Sequence, residues 1–131
     1  MKKRELNIQV RFADVDILGH INNVNLQHYY DLGKNDFFHE VLGMDTLPTR
    51  QSVITAATDT SYFEQTRIDD DIWVETEVEK VGTKSMVFRQ RIVNDATGKV
   101  HSESRSVMVA FDFERQESVA LPDAWRQIME A

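Results

Sequence analysis

The sequence contains no cysteine, and this absence excludes several kinds of chemistry. Without a thiol the chain can form no disulfide, bind no metal through thiolates and use no cysteine nucleophile. The lack of disulfides suits a reducing compartment, and we expect a cytoplasmic protein.

Other common catalytic patterns are also missing. The five glycines never form a phosphate-binding loop. There is no Gly-x-Ser-x-Gly segment, which excludes the serine nucleophile of the α/β-hydrolase type. The four histidines do not follow a metal-ligand spacing such as His-Glu-x-x-His. We therefore expect neither a metal nor a cofactor.

Long hydrophobic runs are absent as well. The longest apolar stretch is Val107–Phe111, far shorter than a membrane-spanning helix. The basic residues at the N-terminus are not followed by an apolar region, so we expect no secretory signal. The formal net charge of −7 disfavours nucleic acid as a partner, because an acidic surface repels phosphates.

The 131 residues are enough for one core, so we expect a single domain over residues 1–131. Alternating polarity predicts strands, and apolar spacings of three and four predict one long helix. The predicted elements are a strand Leu6–Phe12, a helix Val24–Leu42, strands Ser52–Gln65, Asp71–Val81, Lys84–Asn94 and Lys99–Phe113, and a short helix after Pro122. This order favours an α+β fold, in which an antiparallel sheet of about five strands wraps around the long helix.

The loop Asp14–Asn23 concentrates the polar chemistry of the chain. It places two carboxylates, a glycine, a histidine and two asparagines between the first strand and the long helix. No other segment gathers so many reactive or hydrogen-bonding groups in so few residues. We interpret this loop as the active-site loop.

The loop and its surroundings carry a family resemblance. The segment Asp-x-Asp-x-x-Gly-His-Ile-Asn-Asn, followed by an aromatic-rich helix, resembles the hotdog-fold acyl thioesterases of the 4-hydroxybenzoyl-CoA thioesterase type. The segments Asp59–Phe63, Asp69–Asp71 and Val78–Phe88 are similar to later strands and turns of that family. The resemblance implies a hotdog fold, an acyl-CoA or acyl-carrier-protein thioester as substrate, and a homodimer or dimer of dimers with sites at the subunit interface.

The resemblance also implies roles for individual residues. Asp16 matches the catalytic carboxylate and would act as a nucleophile or as a general base. The backbone N–H at Asn23 would polarise the thioester carbonyl, and His20 would assist. In the related plant-type acyl-carrier-protein thioesterases an asparagine accompanies this histidine, whereas this chain has Leu18 at that position. The substrate-binding residues implied by the resemblance are Gly19, Asn22, Asp59 and Ser61.

Each of these residues has a structural interpretation too. Asp16 could simply turn the chain or cap the helix, and Asp14 is expected to stabilise the loop as a turn or surface residue. His20 could be a loop histidine bonded to backbone. Either Asn22 or Asn23 is suited to be the helix N-cap.

Two other functions remain open alongside the thioesterase. One is a hotdog protein that binds acyl thioesters without efficient turnover, and the other is a dehydratase-like hotdog enzyme. The acyl group, and the choice between coenzyme A and a carrier protein, are not determined by the sequence. Cationic candidates for contacting the carrier's phosphates are Arg67, Lys84, Arg89 and Arg91.

Overall fold

In the computed structural model, which describes residues 2–131 and only the backbone of Thr46, one long helix lies against an antiparallel sheet. Met1, the predicted start of the domain, lies outside the described residues. The strands and helices are β1 (Lys3–Ile8), α1 (Asn23–Glu40), β2 (Gln51–Tyr62), β3 (Ile72–Val81), β4 (Ser85–Asn94), β5 (Val100–Asp112), β6 (Glu117–Ser118) and α2 (Asp123–Glu130). Two short 3-10 helices, Phe12–Asp14 and Met44–Thr46, complete the connections.

The sheet has the strand order β1-β3-β4-β5-β2, with β6 paired to β5, and every pairing is antiparallel. The predicted α+β arrangement is confirmed. Alternation in β3 follows the prediction, since Ile72, Val74, Thr76 and Val78 are buried while the intervening glutamates are half-buried or exposed. The short strand β6 was not predicted, because two residues carry no readable alternation.

The first strand begins and ends earlier than its hydrophobic pattern predicts. β1 pairs with β3 from Lys3 to Ile8, and Ile8 lies opposite Ile72, the first residue of β3. Beyond that point no strand partner continues, and the chain turns into the 3-10 helix at Phe12. The Phe12 side chain is 86% exposed. The alternation of apolar and polar residues in the sequence therefore extends beyond Ile8, the last paired residue of β1.

Helix α1 begins and ends where capping residues place its boundaries. The Asn22 side chain accepts a hydrogen bond from the Val24 N–H at 2.7 Å, which makes Asn22 the N-cap. The C-cap is Val41, and two residues later Gly43 adopts a positive φ of 62° and leads into the 3-10 helix Met44–Thr46. The predicted start and stop signals are confirmed to within two residues.

The helix buries its apolar stripe against the sheet in two clusters. Toward its N-terminus, Tyr29 and Tyr30 pack with Ile72, Val74 and Ile92. Toward its C-terminus, the buried side chains come from α1, the sheet and α2, and they include Phe37, Phe38, Phe88, Met86 and Trp125. The aromatic residues of α1 are thus core residues. Their packing holds the N-terminus of the helix, and the loop before it, in one orientation.

Candidate active site

A cavity of about 400 Å³ opens at the N-terminus of α1. One wall is the predicted active-site loop with the first turn of the helix, and the opposite wall is the chain that follows β2. The lining residues are Asp16, Ile21, Asn22, Asn23, Leu26, Tyr62, Phe63, Glu64, Gln65 and Thr66. The structure therefore brings Asp16, Asn22 and Asn23 together, as the sequence predicted.

The Asp16 carboxylate is oriented by its own loop. Its Oδ1 atom accepts hydrogen bonds from the Leu18 N–H at 2.9 Å and from the His20 N–H at 3.3 Å. The Asp16 N–H in turn donates to the His20 carbonyl at 2.9 Å. These contacts are the turn-forming role of an aspartate. They also direct a carboxylate whose second oxygen, Oδ2, accepts no hydrogen bond from the described residues.

The first helical residue presents a free donor to the same cavity. The Asn22 side chain caps the Val24 N–H, and the Leu26 N–H bonds the Asn22 carbonyl. The Asn23 N–H has no acceptor among residues 2–131. An unpaired N–H at a helix N-terminus attracts negative charge, because the helix dipole adds to the hydrogen bond.

Asp14 is a buried residue whose side chain stabilises the predicted active-site loop. Its side chain is 1% exposed and accepts hydrogen bonds from Arg11 Nη2 at 2.8 Å and from the Tyr29 hydroxyl at 2.6 Å. The Arg11 hydrogen bond is the main cause that lowers the pKa of Asp14 to about 2, against a smaller opposing effect of burial. The expected stabilising role fits these contacts, but the expected surface location is wrong. Tyr29 on α1 and Arg11 enclose the carboxylate, and the sequence did not reveal that pairing.

Gly19 and His20 lie on the loop but not on the cavity wall. Gly19 has φ +79°, and its N–H donates a hydrogen bond to the Asp16 carbonyl at 3.0 Å, which closes the turn of the loop. A Cβ at Gly19 would meet nothing within 4 Å, so the backbone conformation is what this position requires. His20 forms a β-bridge with Arg67 through its backbone.

Asp59 and Ser61 lie in a different place from Asp16. They line a separate depression with Phe63, Glu79, Arg89, Glu103 and Arg105. The intervening Thr60 bonds Gln27 of α1 at 2.9 Å. Because side chains alternate along a strand, Asp59 and Ser61 point to the sheet face away from the helix. Within one chain, neither residue contributes to the Asp16 cavity.

The segment Tyr62–Thr66 forms the wall that the sequence analysis missed. The strand predicted over Ser52–Gln65 ends at Tyr62, the last residue of β2, so these residues form a wall, most of it where the sequence pattern indicated a continuing strand. Their importance arises from tertiary contacts: the Ile21 N–H of the active-site loop donates to the Thr66 carbonyl at 2.7 Å. The only available signal was composition, since Glu64, Gln65 and Thr66 are three consecutive polar residues.

The four cationic candidates differ in their surroundings. Arg89 pairs with Glu103, and Arg91 pairs with Glu75 at 2.9 Å, both across neighbouring strands. Lys84 and Arg67 have no ion-pair partner in the described part of the chain. Only Arg67 is adjacent in sequence to a cavity-lining residue, Thr66.

The comparison with family models decides the family. The model of the thioesterase-like superfamily matches residues 10–129, which includes the loop, α1, the main strands and most of α2. The chain belongs to the thioesterase-like superfamily. The prediction of a hotdog-fold thioester hydrolase is confirmed at the level of this family.

Individual relatives of this superfamily member are distant in sequence and close in fold. The acyl-CoA thioester hydrolase YbgC of Escherichia coli is 24% identical over 117 residues, which cover 88% of this chain and 87% of that protein. The solved structure of a predicted thioesterase from Bacillus stearothermophilus is 25% identical with a TM-score of 0.88, covering 98% of this chain and 95% of that chain. A variant of 4-hydroxybenzoyl-CoA thioesterase bound to 4-hydroxybenzoyl-CoA is 14% identical with a TM-score of 0.87, covering 98% and 99% of the two chains.

Within residues 2–131 of this thioesterase-like protein, no helix has the length and hydrophobicity that a membrane span requires. In the same part of the chain, no three His, Asp or Glu side chains are grouped so as to hold a metal ion.

Proposed function

We propose that this protein is an acyl-CoA thioesterase in which Asp16 carries out the chemistry, and that its residues act as one domain. The observation that carries the proposal is the meeting of the Asp16 carboxylate and the free Asn23 N–H in one cavity. Hydrolysis of a thioester needs a nucleophile or base on one side of the carbonyl and a hydrogen-bond donor for its oxygen. These two residues supply both groups.

Two chemical routes use the same arrangement. In the first, an Asp16 oxygen attacks the thioester carbonyl carbon, the carbon–sulfur bond breaks, and water hydrolyses the resulting mixed anhydride. In the second, Asp16 takes a proton from a water molecule that attacks the carbonyl carbon, and the thiolate leaves. In both routes the carbonyl oxygen gains negative charge, which the Asn23 N–H and the helix N-terminus stabilise.

The experiment that tests the proposal measures free thiol released from a panel of short, long and aromatic acyl-CoAs. We expect turnover of at least one member of the panel. Asp16→Ala should lower kcat at least tenfold, and a smaller loss would remove Asp16 from the assigned role. Asp36→Ala is the matched control, because this aspartate of α1 pairs with Arg4 of β1 and does not line the Asp16 cavity, so the variant should leave kcat unchanged.

A protein that binds acyl thioesters without turning them over is the second candidate. The observation that favours it is the engagement of Asp16 Oδ1 by the loop N–H groups of Leu18 and His20, since a purely structural aspartate would make the same contacts. Such a protein would bind acyl-CoA tightly, yet release thiol no faster than buffer across the panel.

The proposed carrier contact is electrostatic. The exposed Arg67 lies next to the cavity-lining Thr66, and its guanidinium forms no ion pair among residues 2–131, although its backbone N–H donates to the Asp70 carboxylate at 2.9 Å. Its guanidinium can reach an anionic group that extends from the cavity, as the phosphates of coenzyme A would. Arg89 and Arg91 are less suited, because glutamates already neutralise them.

The active assembly is proposed to be a homodimer at least. β2 pairs with β5 on one side only, and its other edge has no strand partner in the described chain. Much of β2 is exposed, and natural proteins seldom leave a twelve-residue edge strand unpaired. Pairing of two β2 strands would also bring Asp59 and Ser61 of each protomer toward the neighbouring subunit.

A further inference from the structure

A buried imidazole braces the wall of the cavity opposite Asp16. The His101 side chain lies at the start of β5 and is 3% exposed. Its Nδ1 atom is 2.8 Å from the Thr66 hydroxyl, and its Nε2 atom is 3.8 Å from a Glu64 carboxylate oxygen. Both Thr66 and Glu64 line the cavity. One histidine therefore contacts two residues of the wall that faces the proposed catalytic group.

The backbone of His101 strengthens the same attachment. Its carbonyl accepts the Phe63 N–H at 2.8 Å and the Glu64 N–H at 3.1 Å. The segment from Phe63 to Thr66 lies beyond the end of β2. These two backbone hydrogen bonds therefore hold it to β5 where the regular strand pairing has ended. The His101 side chain adds a contact with the Thr66 hydroxyl, which the backbone bonds of His101 do not reach.

Thr66 transmits this attachment to the active-site loop. Its carbonyl accepts the Ile21 N–H at 2.7 Å, and the adjoining residues Arg67 and His20 form a β-bridge. Other hydrogen bonds of the loop are internal, such as those between Asp16, Gly19 and His20, or join Asp14 to Arg11 and to the α1 residues Asn25 and Tyr29. Thr66 and Arg67 thus attach the loop to the chain that follows β2, whereas Asp14 attaches it to α1.

We propose that His101 is a positioning residue of the thioesterase reaction, which acts through Thr66 on the loop carrying Asp16 and Asn23. This inference rests on the proposed function. The contact between Thr66 and His101 is side chain to side chain and is buried on both sides. Loss of either partner leaves a buried polar atom unpaired and lets the wall shift. A displacement of about 1 Å in a catalytic group can cost up to about a hundredfold in rate.

The kinetic test uses four single variants and one double variant. His101→Leu and Thr66→Val should each lower kcat by roughly tenfold, with a KM change of less than about threefold. His101→Asn places an amide where Nδ1 lies, and Thr66→Ser keeps the hydroxyl, so both should retain kcat to within about threefold. The double variant His101→Leu/Thr66→Val should lose no more than either single variant, because both remove the same contact.

A neighbouring residue provides the matched control. Ser102 is also buried and hydrogen-bonded, to the Tyr30 hydroxyl at 2.5 Å, but it points to the helix side of the sheet. Ser102→Ala should lower thermal stability and leave kcat unchanged. If His101→Leu behaves like Ser102→Ala, or if the losses at His101 and Thr66 add, the positioning role is wrong.

A second measurement does not depend on turnover. Hydrogen exchange of the Ile21 amide reports the bond to the Thr66 carbonyl, and its protection should fall in His101→Leu and Thr66→Val but not in His101→Asn or Ser102→Ala. If the wild-type protein releases no thiol from any acyl-CoA, the proposed function fails while this readout still tests the attachment. Unchanged Ile21 protection in His101→Leu would overturn the inference.

Discussion

The carboxylate of Asp16 and the backbone N–H of Asn23 differ in how they are held. Asp16 is oriented by N–H groups of its own loop, at 2.9 and 3.3 Å. The Asn23 N–H is oriented by the helix that begins with it and keeps no acceptor in the described chain. The side chain of Asn23 has no part in that donor, so its residue type carries no information about the role.

The backbone donor can be removed without removing the helix. Proline is favoured at the first helical position, and the preceding Asn22 has φ −62° and ψ 143°, a conformation that proline tolerates before it. Asn23→Pro should therefore fold normally and lower kcat by about 10²–10³, the usual effect of losing an oxyanion donor.

The control for this variant is Asn23→Ala, which keeps the N–H and should retain most of the wild-type kcat. Melting temperatures of both variants, measured by circular dichroism, establish that the helix is intact. Equal kcat values for the proline and alanine variants would show that the Asn23 N–H does not stabilise the reaction.

The lowered pKa of Asp14 predicts how the stability of the fold changes at acid pH. Its pKa is lowered to about 2, chiefly by the Arg11 hydrogen bond. A folded-state pKa below the unfolded value contributes stability above about pH 4 that is lost as pH falls toward 2. Asp14→Asn should thus cost about 2 kcal/mol at pH 7, and the difference from wild type should shrink below pH 4.

Denaturant unfolding at several pH values between 2 and 7 measures this difference. Asp69→Asn is the comparison variant, since this residue is exposed in the loop before β3 and its substitution should change stability little at any pH. A constant gap between Asp14→Asn and wild type over the whole range would contradict the assigned cause.

At the scale of elements, α1 approaches the sheet most closely at Gly33. A Cβ built there would lie 2.8 Å from Val74 Cγ1 and 3.0 Å from both Gln90 Nε2 and Thr76 Oγ1. A glycine in the middle of a helix costs helix stability relative to alanine, and this close approach explains its presence. A side chain at this position would push the helix, and the loop attached to its N-terminus, away from β3 and β4.

Gly33→Ala should therefore destabilise the protein, although alanine is the better helix former. The propensity gain is about 1 kcal/mol, whereas overpacking a tight core costs about 1–3 kcal/mol. We expect a net loss of roughly 1 kcal/mol in the free energy of unfolding. Asn35→Ala, at an exposed position of the same helix, should be neutral or stabilising, and a more stable Gly33→Ala would show that the contact is loose.

At the scale of the whole molecule, the open edge of β2 is the feature that one chain leaves unexplained. Within residues 2–131, this twelve-residue strand pairs with β5 along one edge and has no strand along the other. If two chains join at this edge and complete each other's sites, activity depends on association. Specific activity should then fall on dilution, in parallel with the loss of the dimer mass.

Light scattering at a series of concentrations measures the mass, and thiol release at the same concentrations measures the activity. Dilution is a sufficient perturbation, because it changes the association of the subunits and alters no residue. Full specific activity in samples that contain monomer alone would contradict a shared site.

The order of elements was readable from local sequence, and so was the polar loop that we propose as the active-site loop. Alternation in β3, the apolar stripe of α1, the Asn22 cap and Gly43 each depend on neighbours within a few residues, so their signals survive without a fold. The loop Asp14–Asn23 was recognisable for the same reason. Local pattern also misled at Phe12 and at Phe63–Gln65, because it does not show where strand pairing ends.

Only the tertiary structure decided which residues complete the site. Thr66 and Glu64 face Asp16 because β2 ends at Tyr62 and the chain folds back over the loop, a contact between segments more than 40 residues apart. The placement of Asp59 and Ser61 on the opposite face, the enclosure of Asp14 by Tyr29, and the bracing of Thr66 by His101 are likewise long-range contacts. Each depends on how strands are ordered and which face they present, and a single sequence determines these only through the folded core.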